Sequence, residues 1–214
     1  MKLIYVMDPY CGWCYAMSEQ INIMATHFAD QLPLHVLPAG MWAGHNTQRQ
    51  SRQLISQIKS YDIKIAERSG VKFSAAYNQY LQDPSRILDS EIPSRAIVTT
   101  ANNWPEQTLA FMHEIQYARY ILGKDLNDTI TYQDIALSLN ISPEVFTEQF
   151  NSAATKAKTK ETFALADKYA HNYPTLLLLR NGKTTIIDQG YTQASLLIKT
   201  IEHKLHAAYN IHLN

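Results

Sequence analysis

The chain has 214 residues, 46% of them hydrophobic and 10% aromatic, enough to bury a substantial core. Its 19 Lys and Arg balance its 19 Asp and Glu, so no net field draws it to a polyanion or an acidic lipid surface, and neither nucleic acid nor membrane is expected as a partner. No apolar run approaches the roughly 20 residues of a spanning helix, and two cysteines alone cannot form a structural disulfide framework.

Leu3 to Met7 is a continuous, partly β-branched apolar run with the length of a buried strand. Lys2 ahead of it gives a superficial likeness to a secretory leader, but Asp8-Pro9 cuts the run short; with Met1 as the native start, the protein is expected in the cytoplasm. After Cys11 the period changes: Met17, Ile21, Met24 and Phe28 fall at helical spacing and predict a helix from about Cys11 to Ala29. Leu34 to Leu37 reads as a second strand ended by Pro38 and Gly40, which completes a strand, helix, strand unit of the kind that builds a parallel sheet.

From Asn46 onward about a hundred residues read as helices with no convincing strand. Leu54, Ile55, Ile58, Tyr61 and Ile65 mark one amphipathic face, with Gly70 as a stop beyond it. Pro93 is placed to open a helix through Ala101, and Pro105 another through Leu122. Thr131 begins a short helix to Leu139, and Ser142-Pro143-Glu144 is a cap, a first-turn proline and an acid suited to the helix dipole.

A long helix over about Ser152 to His171 leads to Tyr173-Pro174, and Thr175 to Leu179 is a strongly apolar strand. Asn181-Gly182 is a hairpin signal with Thr184 to Asp188 returning, and Leu196, Leu197, Ile201 and Leu205 define a terminal amphipathic helix. The predicted division is residues 1–45 with 152–214 as one α/β unit, and 46–151 as an all-helical domain inserted after the second strand.

The chemistry concentrates in Cys11-Gly12-Trp13-Cys14. A bond between cysteines this close restrains little of the unfolded chain, so redox chemistry explains the pair better than stabilisation does. Disulfide exchange needs an attacking thiolate, a resolving thiol and a field that favours the anion. Cys11 lies where the helix begins, at free N–H groups and the positive end of the dipole, and Cys14 lies one turn further in; Cys11 is therefore the nucleophile and Cys14 the resolving thiol. A zinc site would have to recruit two of the scattered histidines, such as His45, His113 or His171, and no metal is expected. Trp13 reads as a lid that contacts apolar substrate, against the alternative of a packed anchor for the helix, whereas Trp42 and Trp104 read as core or interdomain packing.

Asp8-Pro9-Tyr10-Cys11-Gly12-Trp13-Cys14-Tyr15, then Leu37-Pro38-Ala39-Gly40-Met41-Trp42-Ala43-Gly44, the helical insertion, and Tyr173-Pro174-Thr175 together resemble the DsbA family, in particular its cytoplasmic FrnE-like branch, across essentially the whole chain. The resemblance implies a thioredoxin-like fold and a thiol-disulfide oxidoreductase or disulfide isomerase acting on protein or small-molecule thiols. It also implies a cis proline at Pro174 facing the cysteines, with Tyr173, Pro174 and Thr175 resting the substrate through exposed backbone. Where DsbA and thioredoxin carry a buried acid on the first strand, this chain has Tyr5, which leaves Asp8 as proton acceptor or as helix cap. With Gly12-Trp13 in place of a histidine-bearing dipeptide, a less oxidising centre than DsbA is expected.

The expected cofactor is none beyond the cysteine pair, with glutathione as a candidate co-substrate, and a monomer is expected. Kappa-class glutathione transferases and hydroxychromene carboxylate isomerases resemble the same fold with a serine as nucleophile, so the retention of both Cys11 and Cys14 argues against that class. A non-enzymatic redox sensor or chaperone is the third reading.

Overall fold

The computed structural model describes residues 1–29 and 31–209, the side chains of 207–209 excepted. Residues 210–214 of the predicted second α/β segment lie outside that set.

Strand β1 (Lys2–Met7) is buried on both faces, which is why its apolar run is continuous rather than alternating. Leu3, Tyr5 and Met7 face the main core with helix α1 (Gly12–His27), while Ile4 and Val6 pack on the other side against Ala166 and Ala170. β2 (Leu34–Pro38) runs parallel to β1 from the outer edge of the sheet. Residues 39–51 then lead into the helical insertion.

That insertion is not wholly helical: β3 (Gln48–Arg49) pairs antiparallel with β4 (Ile87–Leu88) in a two-residue ladder too short to leave a periodic signal. Helix α2 (Arg52–Ser69) ends on Gly70 in the left-handed conformation, as its spacing predicts. Tyr61, read as part of its inner face, is instead 57% exposed. Helix α3 (Ala75–Tyr80), only six residues long, is too short to show a helical period in the sequence.

Helix α4 (Glu91–Asn103) starts two residues before Pro93, which its first turn tolerates because the missing N–H has no intrahelical acceptor there. Pro105 opens a single 3-10 turn, and α5 (Thr108–Tyr120) begins only after it. Helices α6 (Thr129–Ser138) and α7 (Pro143–Asn151) follow, the latter capped by Ser142 Oγ accepting from the Val145 N–H.

Helix α8 (Ala153–Tyr169) returns the chain to the sheet, where β5 (Thr175–Arg180) pairs antiparallel with β1 and with β6 (Lys183–Gln189). Asn181 and Gly182 both have positive φ, 48° and 76°, the backbone a two-residue hairpin turn requires. Helix α9 (Ala194–Tyr209) packs on α1 through Leu197 and Ile201, but Leu196, assigned to its apolar face, is 57% exposed. The sheet order is β2-β1-β5-β6, a thioredoxin-like α/β fold with helices inserted after the second strand. No helix among the described residues is long and apolar enough to cross a membrane.

Candidate active site

Cys11 is itself the N-cap of α1: its backbone is extended, and its Sγ accepts the Cys14 N–H at 3.3 Å. The sulfur thereby takes the role that a serine or aspartate oxygen usually fills at a helix start. Its thiol also points at the backbone carbonyl of Tyr173, 3.6 Å away, across a gap of 162 residues in sequence. The Tyr173–Pro174 peptide is cis. Cys11, the expected exposed nucleophile, retains 8% exposure, whereas Cys14 has none. Burial pushes the Cys14 thiol well above its ordinary pKa, and its contact with Cys11 adds to the rise, against the Asp8 backbone N–H, which lowers it.

Asp8 caps no helix, contrary to one of its two sequence readings. It is fully buried, and its carboxylate gathers three separate loops: Oδ1 accepts the Tyr10 N–H at 2.9 Å and the Ser90 hydroxyl at 3.0 Å, and Oδ2 accepts the Met41 N–H at 2.7 Å. Burial raises its pKa, with these bonds and the charge of Arg119 pulling the other way. Ser90 Oγ in turn accepts the Trp42 N–H at 3.0 Å. Tyr5, at the position where the resemblance implies an acid, is fully buried and donates its hydroxyl to the Cys14 carbonyl at 3.4 Å.

Cys11 opens on a cavity of about 390 Å³ between the start of α1, the 39–51 loop, α2, α5 and the approach to β5. Trp13 and Tyr173 are half-buried in its wall, and Trp42, read from sequence as packing, lines it too, with its ring 5.7 Å from that of Tyr10. Thr175 does not belong there. It is fully buried, donating its hydroxyl to the Asn172 carbonyl at 2.7 Å, so it holds the loop rather than meeting a substrate. Pro174 is buried at the head of the same strand. Trp104 packs away from the cavity against Phe146.

The insertion supplies groups the sequence reading left out. Asp62 on α2 lines the cavity and accepts the Tyr77 hydroxyl at 3.2 Å; burial pushes its pKa up to about 6, against that bond and the field of Arg119. Arg119 lies at the back, among Tyr10, Tyr77, Tyr80 and Tyr120. A signal existed: Phe111, Ile115 and Arg119 recur every four residues, which places a charge on the buried face of α5. Among the described residues no group of three or more His, Cys, Asp or Glu is placed to hold a metal; His113 bonds Ser18 and His171 pairs with Asp167.

A cysteine pair at the start of α1, facing the head of β5 beneath an inserted helical cover, defines the DsbA-like form of the thioredoxin fold. Comparison with solved structures agrees. A protein from Nitrosomonas europaea, provisionally assigned as a protein disulfide isomerase, superposes with a TM-score of 0.87 at 22% identity, covering 97% of this chain and 99% of that one. The cytosolic disulfide reductase DsbM from Pseudomonas aeruginosa, with GSH, gives 0.82 at 24% identity over 96% of this chain and all of that one. A 2-hydroxychromene-2-carboxylate isomerase is more distant, at 0.63 and 13% identity over the full length of both. No protein-family model and no curated protein sequence matches the chain.

Proposed function

We propose that the protein is a thiol-disulfide oxidoreductase working through Cys11 and Cys14, that it acts as a disulfide reductase in the cytoplasm, and that a small thiol of the glutathione class returns it to the dithiol. The observation that carries this reading is the placement of Cys11 Sγ, bonded by the Cys14 N–H at 3.3 Å, facing the Tyr173 carbonyl at 3.6 Å, and opening on a cavity. The names of the DsbM structures support the direction.

In the first step the Cys11 thiolate attacks one sulfur of a disulfide RS–SR, forming Cys11–S–SR and releasing RS⁻. The Cys14 thiol then loses its proton and attacks Cys11 Sγ, forming the Cys11–Cys14 disulfide and expelling the second RS⁻. Both leaving thiolates take up protons, so one RS–SR becomes two RSH as the dithiol becomes a disulfide. Two equivalents of small thiol reverse the change on the protein. The burial that raises the Cys14 thiol makes its deprotonation the step that needs help, and the buried Asp8 carboxylate, close enough for its charge to act on Cys14, is the proposed acceptor. Trp13, Trp42 and Tyr173 give the substrate an apolar wall. The second thiol favours exchange over the isomerase chemistry named for the distant structural relative.

The test is insulin reduction by dithiothreitol and reduction of glutathione disulfide, for wild type, Cys11→Ser and Cys14→Ser. Wild type is expected to turn over both, Cys11→Ser neither, and Cys14→Ser to stall as a trapped mixed disulfide visible by mass spectrometry. Equal performance of the three proteins overturns the reading. For Asp8→Asn, the mixed disulfide is expected to decay more slowly than in wild type.

A further inference from the structure

Arg119 is the buried charge that the exchange chemistry leaves unused. It is 1% exposed and lines the cavity that opens on Cys11. Among the described residues no carboxylate lies within ion-pair distance of its guanidinium, and Nε and Nη1 have no hydrogen-bond partner. Aromatic faces surround it instead: its Cζ lies 4.4 Å from the ring centre of Tyr10, 5.4 Å from Tyr77, 5.5 Å from Tyr120 and 5.6 Å from Tyr80. Such faces stabilise a cation but leave Nε and Nη1 unmet, although the Tyr77 hydroxyl lies close enough to bond the guanidinium. Arginine cannot discharge itself, and a buried charge whose nearest carboxylates, Asp8 and Asp62, act only through their field is costly to hold. The hydroxyls of Tyr10 and Tyr120 are likewise without partners, and both residues line the same cavity.

A cation and two hydroxyls that lack acceptors, gathered on one wall beside a reactive thiol, match the chemistry of a carboxylate. We propose that Arg119, Tyr10 and Tyr120 form a subsite for a carboxylate carried by the thiol or disulfide that reacts at Cys11. The proposal rests on the exchange reading above and narrows its substrate class to small, anionic thiol compounds. Asp62 is the opposing charge in the same wall, already engaged by Tyr77, and His171 stands exposed at the rim with Asp167. The selectivity therefore depends on the balance of Arg119 against Asp62.

The test uses three small disulfides of similar size: 3,3′-dithiodipropionate with two carboxylates, bis(2-hydroxyethyl) disulfide with none, and cystamine with two amines. In wild type, kcat/KM is expected in that order. Arg119→Met is expected to lower the ratio of dithiodipropionate to hydroxyethyl disulfide by roughly tenfold or more, the worth of a charge-assisted hydrogen bond. Asp62→Asn is expected to raise the same ratio, so the balance stays testable if the Met variant folds poorly. A ratio unmoved by both substitutions overturns the proposal. A binding arm separates it from the redox reading: S-methylglutathione titrated calorimetrically into the Cys11→Ser/Cys14→Ser protein should bind, and more weakly once Arg119→Met is added. No binding, or binding indifferent to Arg119, overturns the subsite even if exchange is active. Binding that depends on Arg119, in a protein whose wild type turns over none of the disulfides, leaves the subsite standing and sinks only the redox function.

Discussion

Replacing Asp62 with Asn isolates the cost of a carboxylate that the fold buries beside its cavity. Asp62 is 8% exposed, and burial pushes its pKa up to about 6, despite the Tyr77 hydroxyl and the field of Arg119 acting in the opposite direction. In the unfolded chain an aspartate titrates near 3.9. Below about pH 4 both states hold the proton and the group contributes nothing to the pH dependence of folding. Between about pH 4 and 6 the unfolded chain has lost its proton while the folded protein retains it, so stability falls as the pH rises. Above that window both states are ionised and the penalty is constant.

At about 1.4 kcal/mol per pH unit, a window of some two units puts the penalty at about 3 kcal/mol. Asparagine has the same outline, keeps a carbonyl for the Tyr77 hydroxyl, and never ionises. Asp62→Asn should therefore match wild type near pH 4 and exceed it by about 2–3 kcal/mol near pH 7. Urea unfolding followed by tryptophan fluorescence across this range gives the difference directly. A difference that does not grow between about pH 4 and 7, or an Asn variant less stable than wild type at neutral pH, refutes the reasoning.

Three further outcomes follow from the site. Iodoacetamide added to the reduced protein at neutral pH should label Cys11 well before Cys14, because Cys14 has no exposure and burial holds its thiol protonated; peptide mapping that finds equal labelling contradicts this. Asp8→Asn replaces one acceptor oxygen with a donor facing N–H or O–H groups, so it should cost about 1–3 kcal/mol in denaturant unfolding. Gly40 and Gly44 both have positive φ, but a Cβ at Gly40 would meet the Phe163 ring at 2.7 Å while one at Gly44 would meet nothing. Gly44→Ala should cost about 1 kcal/mol and Gly40→Ala clearly more, read as the difference in unfolding midpoint.

What could be read from the sequence was local or carried by resemblance. The Ser142 cap, the Gly70 stop and the Asn181-Gly182 turn depend on neighbours within a few residues, and each sits where its spacing places it. The spacing of Cys11 and Cys14 and the change from strand to helix are equally local. Asp8 was visible as a residue but not by its partners, because Met41 and Ser90 lie 33 and 82 positions away. Thr175 follows Tyr173-Pro174 in sequence, but it opens a strand buried on both faces, which encloses it. Trp42 and Arg119 reach the cavity only through tertiary packing; periodicity places Arg119 inside, and nothing local says which cavity it meets.

Gly12 shows how closely the helical insertion and the cysteine motif depend on each other. A Cβ there would lie 2.7 Å from Ile65 Cδ1 and 3.4 Å from Asp62 Oδ1, so α2 rests directly on the dipeptide between the cysteines. A bulky residue at that position would push into the groups that close the cavity, whereas glycine lets α2 descend until Ile58, Asp62 and Ile65 form its wall. The small residue inside the motif thus gives the Ile65 side chain of α2 room to sit against it. Arg119, 1% exposed in the wall of that cavity, sits where a charge interaction is stronger than in open solvent. From α2 and α5 the insertion supplies Asp62 and Arg119, the charged groups that the motif itself lacks.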